Sequence, residues 1–149
     1  MGGEIDVERL RQKTAYVRTQ IAALRARTAD PVQRQRLLGD NFESGAVKYA
    51  LQTAVEAIID MAYHLAVKLC GEAPDSAVEA FQLLAGQGLY PSEDASRYAT
   101  MARFRNKVVH GYGDVSPEAL EEILTSDLDD FEKWLGVVRS VVGEGTPES

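Results

Sequence analysis

The chain is short of the groups that usually announce a chemistry. Among its 149 residues there is a single cysteine, Cys70, so no intrachain disulfide can form and a reducing, cytoplasmic setting suits it. Two histidines, His64 and His110, with that one thiol are too few for a structural zinc site, and neither a metal nor a cofactor is expected. No apolar run approaches the ~20 residues that span a bilayer, so no membrane partner is expected. The opening Met1-Gly2-Gly3-Glu4-Ile5-Asp6 has no basic region leading into an apolar one. It also lacks the Ser or Thr that a myristoylation signal prefers, so neither a secretory leader nor a lipid anchor is expected. Alternating apolar–polar stretches rich in β-branched residues are missing, as are internal repeats, which removes sheet-built and solenoid folds. An excess of positive charge is missing too. A net charge of −7 argues against a broad, non-specific nucleic-acid binder.

What charge there is sits unevenly. Residues 1–36 carry eight Lys or Arg against four acids, and residues 113–149 carry two against ten. Such asymmetry suits surfaces that meet oppositely charged partners, a second copy of the chain included, although solvated helix faces give the same pattern.

What is abundant is helical periodicity. Leu10, Thr14, Val17, Ile21 and Leu24 recur at steps of four and three, which predicts an amphipathic helix over about 6–27. Asp30-Pro31 breaks it or starts a short turn of its own. Asp40 or Asn41 can cap the longest apolar helix, with Leu51, Val55, Ile58, Ala62, Leu65 and Leu69 on one side and Gly71 as its stop. A shorter helix begins near Asp75 or Ser76 and stops at Gly86 or Gly88. Ser92 is a plausible cap for a fourth, over about 93–109. Ser116-Pro117-Glu118 is a strong start for the last, whose stripe runs Leu120, Leu124, Leu128, Phe131, Leu135, Val138 and Val142. Thr125-Ser126-Asp127 is a possible break or recap within it. The expectation is one all-α domain over 1–149, an up-and-down bundle of four to five helices with its core at about 5–142 and a frayed tail at 143–149. The first, second and last long helices should enclose the fourth.

The stretch Arg105-Asn106-Lys107-Val108-Val109-His110-Gly111-Tyr112 closes that fourth helix. A guanidinium, an imidazole and a phenol fall within eight positions, and Arg97, Arg103 and Lys107 make the segment locally cationic. A capping histidine, a structural arginine and a packed tyrosine would account for these residue types. RNA cleavage by transesterification would account for them as well. That route needs a base for the ribose 2′-OH, an acid for the departing 5′-oxygen and positive charge at the phosphorus, and it needs no metal. Histidine titrates at ~6.5, and the arginine fork is planar and always charged. Arg105 and His110 are five residues apart, about 140° around an ideal helix, so they converge only if the helix ends before His110. A two-fold dimer would bring two copies of each to one cleft. On the long second helix His64 belongs to a polar series with Gln52, Glu56, Asp60 and Lys68. This reads as a solvated i,i+4 stripe, or else Glu56 or Asp60 faces Arg105 and holds it.

Arg105-x4-His110-x-Tyr112 resembles the R-x4–6-H-x-Y motif of HepT-like toxins in the HEPN superfamily. Phe104-Arg105-Asn106, Val115-Ser116-Pro117-Glu118, Tyr49-Ala50-Leu51-Gln52 and Glu56-Ala57-Ile58-Ile59-Asp60 are similar to that family's pattern, so the likeness covers roughly 5–142. The resemblance implies a dimerising HEPN bundle with the motif at the dimer cleft. It implies a metal-independent endoribonuclease acting on tRNA or mRNA as the toxin of a type VII (HEPN/MNT) toxin–antitoxin pair. The implied partner is a minimal nucleotidyltransferase (MNT) antitoxin, which in characterised members can transfer AMP to the motif tyrosine. By position, Arg105 and His110 would be catalytic, Asn106 would orient Arg105 or the phosphate, and Tyr112 would be the modified residue. Some HEPN bundles instead serve as non-catalytic nucleotide- or partner-binding subunits of a nucleotidyltransferase. The Arg–His pair argues against that role here.

Overall fold

The computed structural model describes residues 4–110 and 115–143. Residues 1–3, residues 111–114 with the motif's Tyr112, and residues 144–149, most of the expected tail, lie outside the described residues. Within them every regular element is helical, and there is no strand. The elements are α1 (Val7–Thr28), α2 (Pro31–Gly39), α3 (Asn41–Leu65), α4 (Ala77–Gly86), α5 (Ser92–His110), α6 (Pro117–Glu122) and α7 (Leu128–Val142). A π turn, Ala66–Cys70, prolongs α3, and a second, Ile123–Asp127, joins α6 to α7 as one continuous rod.

The starts are written in the side chains. Asp6, Asp30, Asp40, Ser76 and Ser116 each accept a hydrogen bond from the backbone N–H three residues on, and Pro31 and Pro117 occupy first helical positions. Asp30-Pro31 therefore opens a nine-residue helix of its own, rather than a mere break or turn. Ser92 is not a cap. It is the first residue of α5, and the carbonyl of Pro91 accepts from the N–H groups of Asp94 and Ala95. Gly71 (φ 73°) ends the rod of α3 in the left-handed conformation that glycine adopts without strain. Thr125-Ser126-Asp127 does not break the last rod but lies in its π turn.

The enclosure of α5 differs from expectation. It packs against α3, α4 and α7, while α1 packs against α3 and α7 instead. The reason lies in α4, short but strongly apolar, which takes the place expected for α1. Its Phe81 meets Tyr98 of α5 and Trp134 of α7 at ring-centroid distances of 5.5 Å, and Tyr90 closes the cluster 5.0 Å from Tyr98. Phe81, Tyr98 and Trp134 are fully buried. The Tyr90 hydroxyl donates to the Phe81 carbonyl at 2.8 Å, and burial pushes the pKa of both Tyr90 and Tyr98 upward. These tilted and edge-on contacts anchor the N-terminal half of α5.

Candidate active site

On α5 the inward face reads Asp94, Ala95, Tyr98, Met101 and Ala102, all buried. Asp94, in the first turn, is held by Lys133 Nζ at 3.3 Å and Arg97 Nε at 3.9 Å, and as an acid there it also suits the helix dipole. Two turns beyond Tyr98, the same side of the helix carries Arg105. Its side chain is 28% exposed, and its Nη1 lies 3.9 Å from Glu56 Oε2 on α3. Its Nε donates to Asn106 Oδ1 at 3.0 Å, and Gln52 Nε2 donates to the same Glu56 oxygen at 3.2 Å. Arg105 is thus positioned from both helices, with its ion pair outside hydrogen-bond length.

Helix α5 runs through His110, so the condition for Arg105 and His110 to converge within one chain is not met. The imidazole is exposed near the end of the helix, on the opposite side from Arg105. Arg103, Asn106 and Lys107 are exposed on that outer side too. Arg97 stays inside the ion-pair network with Asp94 and Asp130. Of the two acids on α3, Glu56 meets Arg105 and Asp60 does not. Asp60 pairs with Lys13 of α1 at 2.9 Å.

His64 belongs elsewhere. Its Nε2 accepts the backbone N–H of Asp6 at 2.9 Å, just where α1 begins. Burial, then the nearby Arg9 and Lys68 charges, lower its pKa and favour the neutral ring that this bond requires. It is not part of a solvated stripe. Tyr112 lies outside the described residues. Among those residues, no group of three His, Cys, Asp or Glu side chains is placed to hold a metal ion.

Sequence reasoning missed a cavity of about 200 Å³ next to the Arg105–Glu56 pair. Val55, Met101, Phe104, Ile123 and Phe131 form its apolar part, and Arg97, Thr100, Asp127 and Asp130 supply its polar groups. Burial, reinforced by Asp130 and Glu122, pushes the Asp127 carboxyl above its ordinary pKa. Burial does the same to Asp130, against the pull of Arg97 and Lys133. The signal available in the sequence is two carboxylates, Asp127 and Asp130, interleaved with the apolar stripe of the last rod.

Three comparisons bear on this geometry. The family model described as Ribonuclease HepT-like matches residues 17–138. A curated relative, the mRNA nuclease HepT of Shewanella oneidensis, is 29% identical over 90 residues, 60% of this chain and 68% of the relative. Among solved structures, a tri-AMPylated Shewanella oneidensis HEPN toxin in complex with an MNT antitoxin superposes with a TM-score of 0.80. It is 25% identical, and the match covers 89% of this chain and 97% of that one. A toxin–antitoxin structure named MntA-HpeT, at 24% identity and a TM-score of 0.79, has the same fold over 89% of this chain and 98% of its own.

Proposed function

This chain belongs to the Ribonuclease HepT-like family, and on that premise we propose that it is the toxin of a HEPN/MNT (type VII) toxin–antitoxin pair, an endoribonuclease that cuts tRNA or mRNA without a metal. Residues 5–142 act as one catalytic unit in the cytoplasm. The observation that carries the assignment of roles is the placement of Arg105. It is an arginine set between Glu56 and Asn106, with its ion pair slack enough to turn toward a phosphate, five residues before an exposed histidine on the same helix.

In the reaction His110 takes the ribose 2′-OH proton, and the 2′-oxygen forms a bond to phosphorus. The bond from phosphorus to the 5′-oxygen breaks, and a second protonated imidazole gives that oxygen its proton. Arg105 bears the charge that builds on the non-bridging oxygens. The products are a 2′,3′-cyclic phosphate and a 5′-hydroxyl. One chain has only one histidine in the motif and turns it away from its own Arg105, so the second imidazole comes from a second copy in a homodimer. Exposed Phe42 and Tyr49 on α3 and Val109 on α5 support such an interface. The cognate partner is an MNT nucleotidyltransferase, with Tyr112 as the acceptor of AMP. Asn106 steadies Arg105, and the outer-face cations Arg103 and Lys107, with Arg97, contact RNA.

The test is cleavage of total cellular RNA in EDTA by the wild-type protein beside His110→Ala and Arg105→Ala. Wild-type cutting with loss on the order of 10²–10⁴-fold in both variants is expected, with helicity and melting temperature kept. An active His110→Ala protein overturns the assignment. So does a folded, unmodified wild type that cuts nothing.

A further inference from the structure

The cavity near the Arg105–Glu56 pair is lined by neither residue of the pair and takes no part in the acid–base chemistry above. Phe104 and Val55, in its lining, are the immediate chain neighbours of Arg105 and Glu56. Its size sets the class of occupant. An apolar cavity of ~150 Å³ admits a benzene ring, whereas whole drug-sized ligands need ~300 Å³ or more. A cavity of about 200 Å³ therefore takes a single heterocycle. The half-buried ring of Phe104 suits a flat π system, as in the recognition of unstacked RNA bases, with the buried Phe131 beneath as part of the floor.

The polar groups choose among the bases. Asp127, half-buried, has no hydrogen bond or ion pair to its carboxylate among the described residues. Thr100 spends its hydroxyl proton on the Ser96 carbonyl at 3.1 Å and so has only acceptor capacity left. Arg97 lies 3.9 Å from Asp94 and 3.8 Å from Asp130, outside hydrogen-bond length, which leaves N–H donors available. The site thus offers acceptors from Asp127, Asp130 and Thr100 and a donor from Arg97. On its Watson–Crick edge guanine presents two adjacent donors, N1–H and N2–H, and one acceptor, O6. Adenine and cytosine each present one donor group beside a ring-nitrogen acceptor, and uracil one donor between two acceptors. Only guanine gives a carboxylate two neighbouring donors and an arginine an oxygen.

We propose that the cavity between α3, α5 and the Ile123–Asp127 turn is a guanine subsite, holding the base of a nucleotide next to the scissile phosphate. It makes Asp127 and Arg97 the residues that set base preference. The inference rests on the ribonuclease reading for its place in the reaction, but the recognition itself does not depend on cutting. Asp127 accepts from N1–H and N2–H, Arg97 donates to O6, and the base lies among Phe104, Phe131 and Met101. Raising the Asp127 pKa by burial is the cost of holding an acceptor there, and two donors from the base offset it.

The experiment is binding of free nucleosides to the full chain by equilibrium dialysis, with guanosine, inosine, adenosine and uridine, for the wild type and Asp127→Asn. Inosine keeps N1–H and O6 and lacks only the 2-amino group. Guanosine should bind at least tenfold more tightly than inosine and more tightly still than adenosine or uridine, because an unpaired acceptor penalises the analogue that lacks its donor. Asp127→Asn should reduce guanosine binding at least tenfold while melting no lower than the wild type. Equal binding of all four nucleosides, binding of none, or unchanged guanosine affinity in Asp127→Asn overturns the subsite. If no nucleoside binds and Asp127→Asn instead alters assembly with a second copy or a protein partner, the cavity seats a side chain and the proposal is wrong. A protein that cuts RNA without guanine recognition defeats the subsite alone. One that binds guanosine but never cuts defeats the nuclease reading alone.

Discussion

The two halves of α5 do opposite things with the same backbone. From Ser92 to Ala102 the inward-facing groups are packed or paired. Asp94 is buried under two cations, Tyr98 is sealed among Phe81, Tyr90 and Trp134, and Arg97 is shared between two acids. From Arg103 to His110 only Phe104, Arg105 and Val108 are even half-buried, and the rest faces outward. A helix locked at one end can carry exposed groups at the other in fixed positions, without needing a core beneath them. The chemistry is held rigid by packing two to four turns away.

The sharpest break in this comparison is a pair of substitutions with crossed outcomes. Trp134→Ala should cost roughly 3–5 kcal/mol by urea unfolding, because it empties the aromatic cluster. His110→Ala should change stability by less than ~0.5 kcal/mol while removing cleavage. A His110→Ala protein that unfolds as readily as Trp134→Ala would erase the distinction between the halves.

Glu56→Gln tests the joint where the two regions meet. It leaves the shape and removes the charge facing Arg105, so cleavage should fall about tenfold in kcat with KM and melting temperature nearly unchanged. A purely structural pair would move the melting temperature and leave kcat alone. Smaller effects belong to the outer face. Arg103→Ala and Lys107→Ala should each weaken RNA binding severalfold at low salt and flatten its salt dependence by roughly 0.7 in log–log slope, the value for single strands. Equal losses at all salt concentrations would remove them from the phosphate contacts.

The smallest effect comes from His64, at the far end of α3. Its folded pKa is lowered, so the unfolded chain binds the proton more readily, and the stabilisation is complete above the unfolded value near 6.5. As pH falls below that value the contribution is lost. The exchange protection of the Asp6 amide should drop across this window, while amides around Tyr98 keep theirs. Loss of protection in both places together would mean global unfolding.

Much of the bundle is legible in the order of residues along the chain. Cap residues, prolines at first helical positions and the glycine stop after α3 act locally, so Asp40, Ser76, Ser116, Pro117 and Gly71 can be read directly. The motif residues Arg105 and His110 are visible for the same reason, and Glu56 is one of two options that geometry narrows. What is not legible depends on how rods lie against each other. The preference of α5 for α4 over α1 follows from Phe81 and Tyr98 meeting in space. The seat of His64 depends on where α1 begins relative to the end of α3. The cavity needs three helices to exist. One hint is present: the stripe Leu120–Leu124–Leu128 takes two successive steps of four, each about 40° past a full α-helical turn, a drift that a wider turn absorbs.

That wider turn has a consequence in chain length. A π turn holds one residue more than a regular helix of the same span. Deleting a single exposed residue there, such as Ser126, can close Ile123–Asp127 into plain α-helix and leave Leu120 and Leu135 both facing the core. Elsewhere in the rod the same deletion would rotate everything after it by about 100°. The turn is therefore the point where this scaffold tolerates gain or loss of a residue, and each such change would redraw the wall that carries Asp127 while the bundle stays as it is.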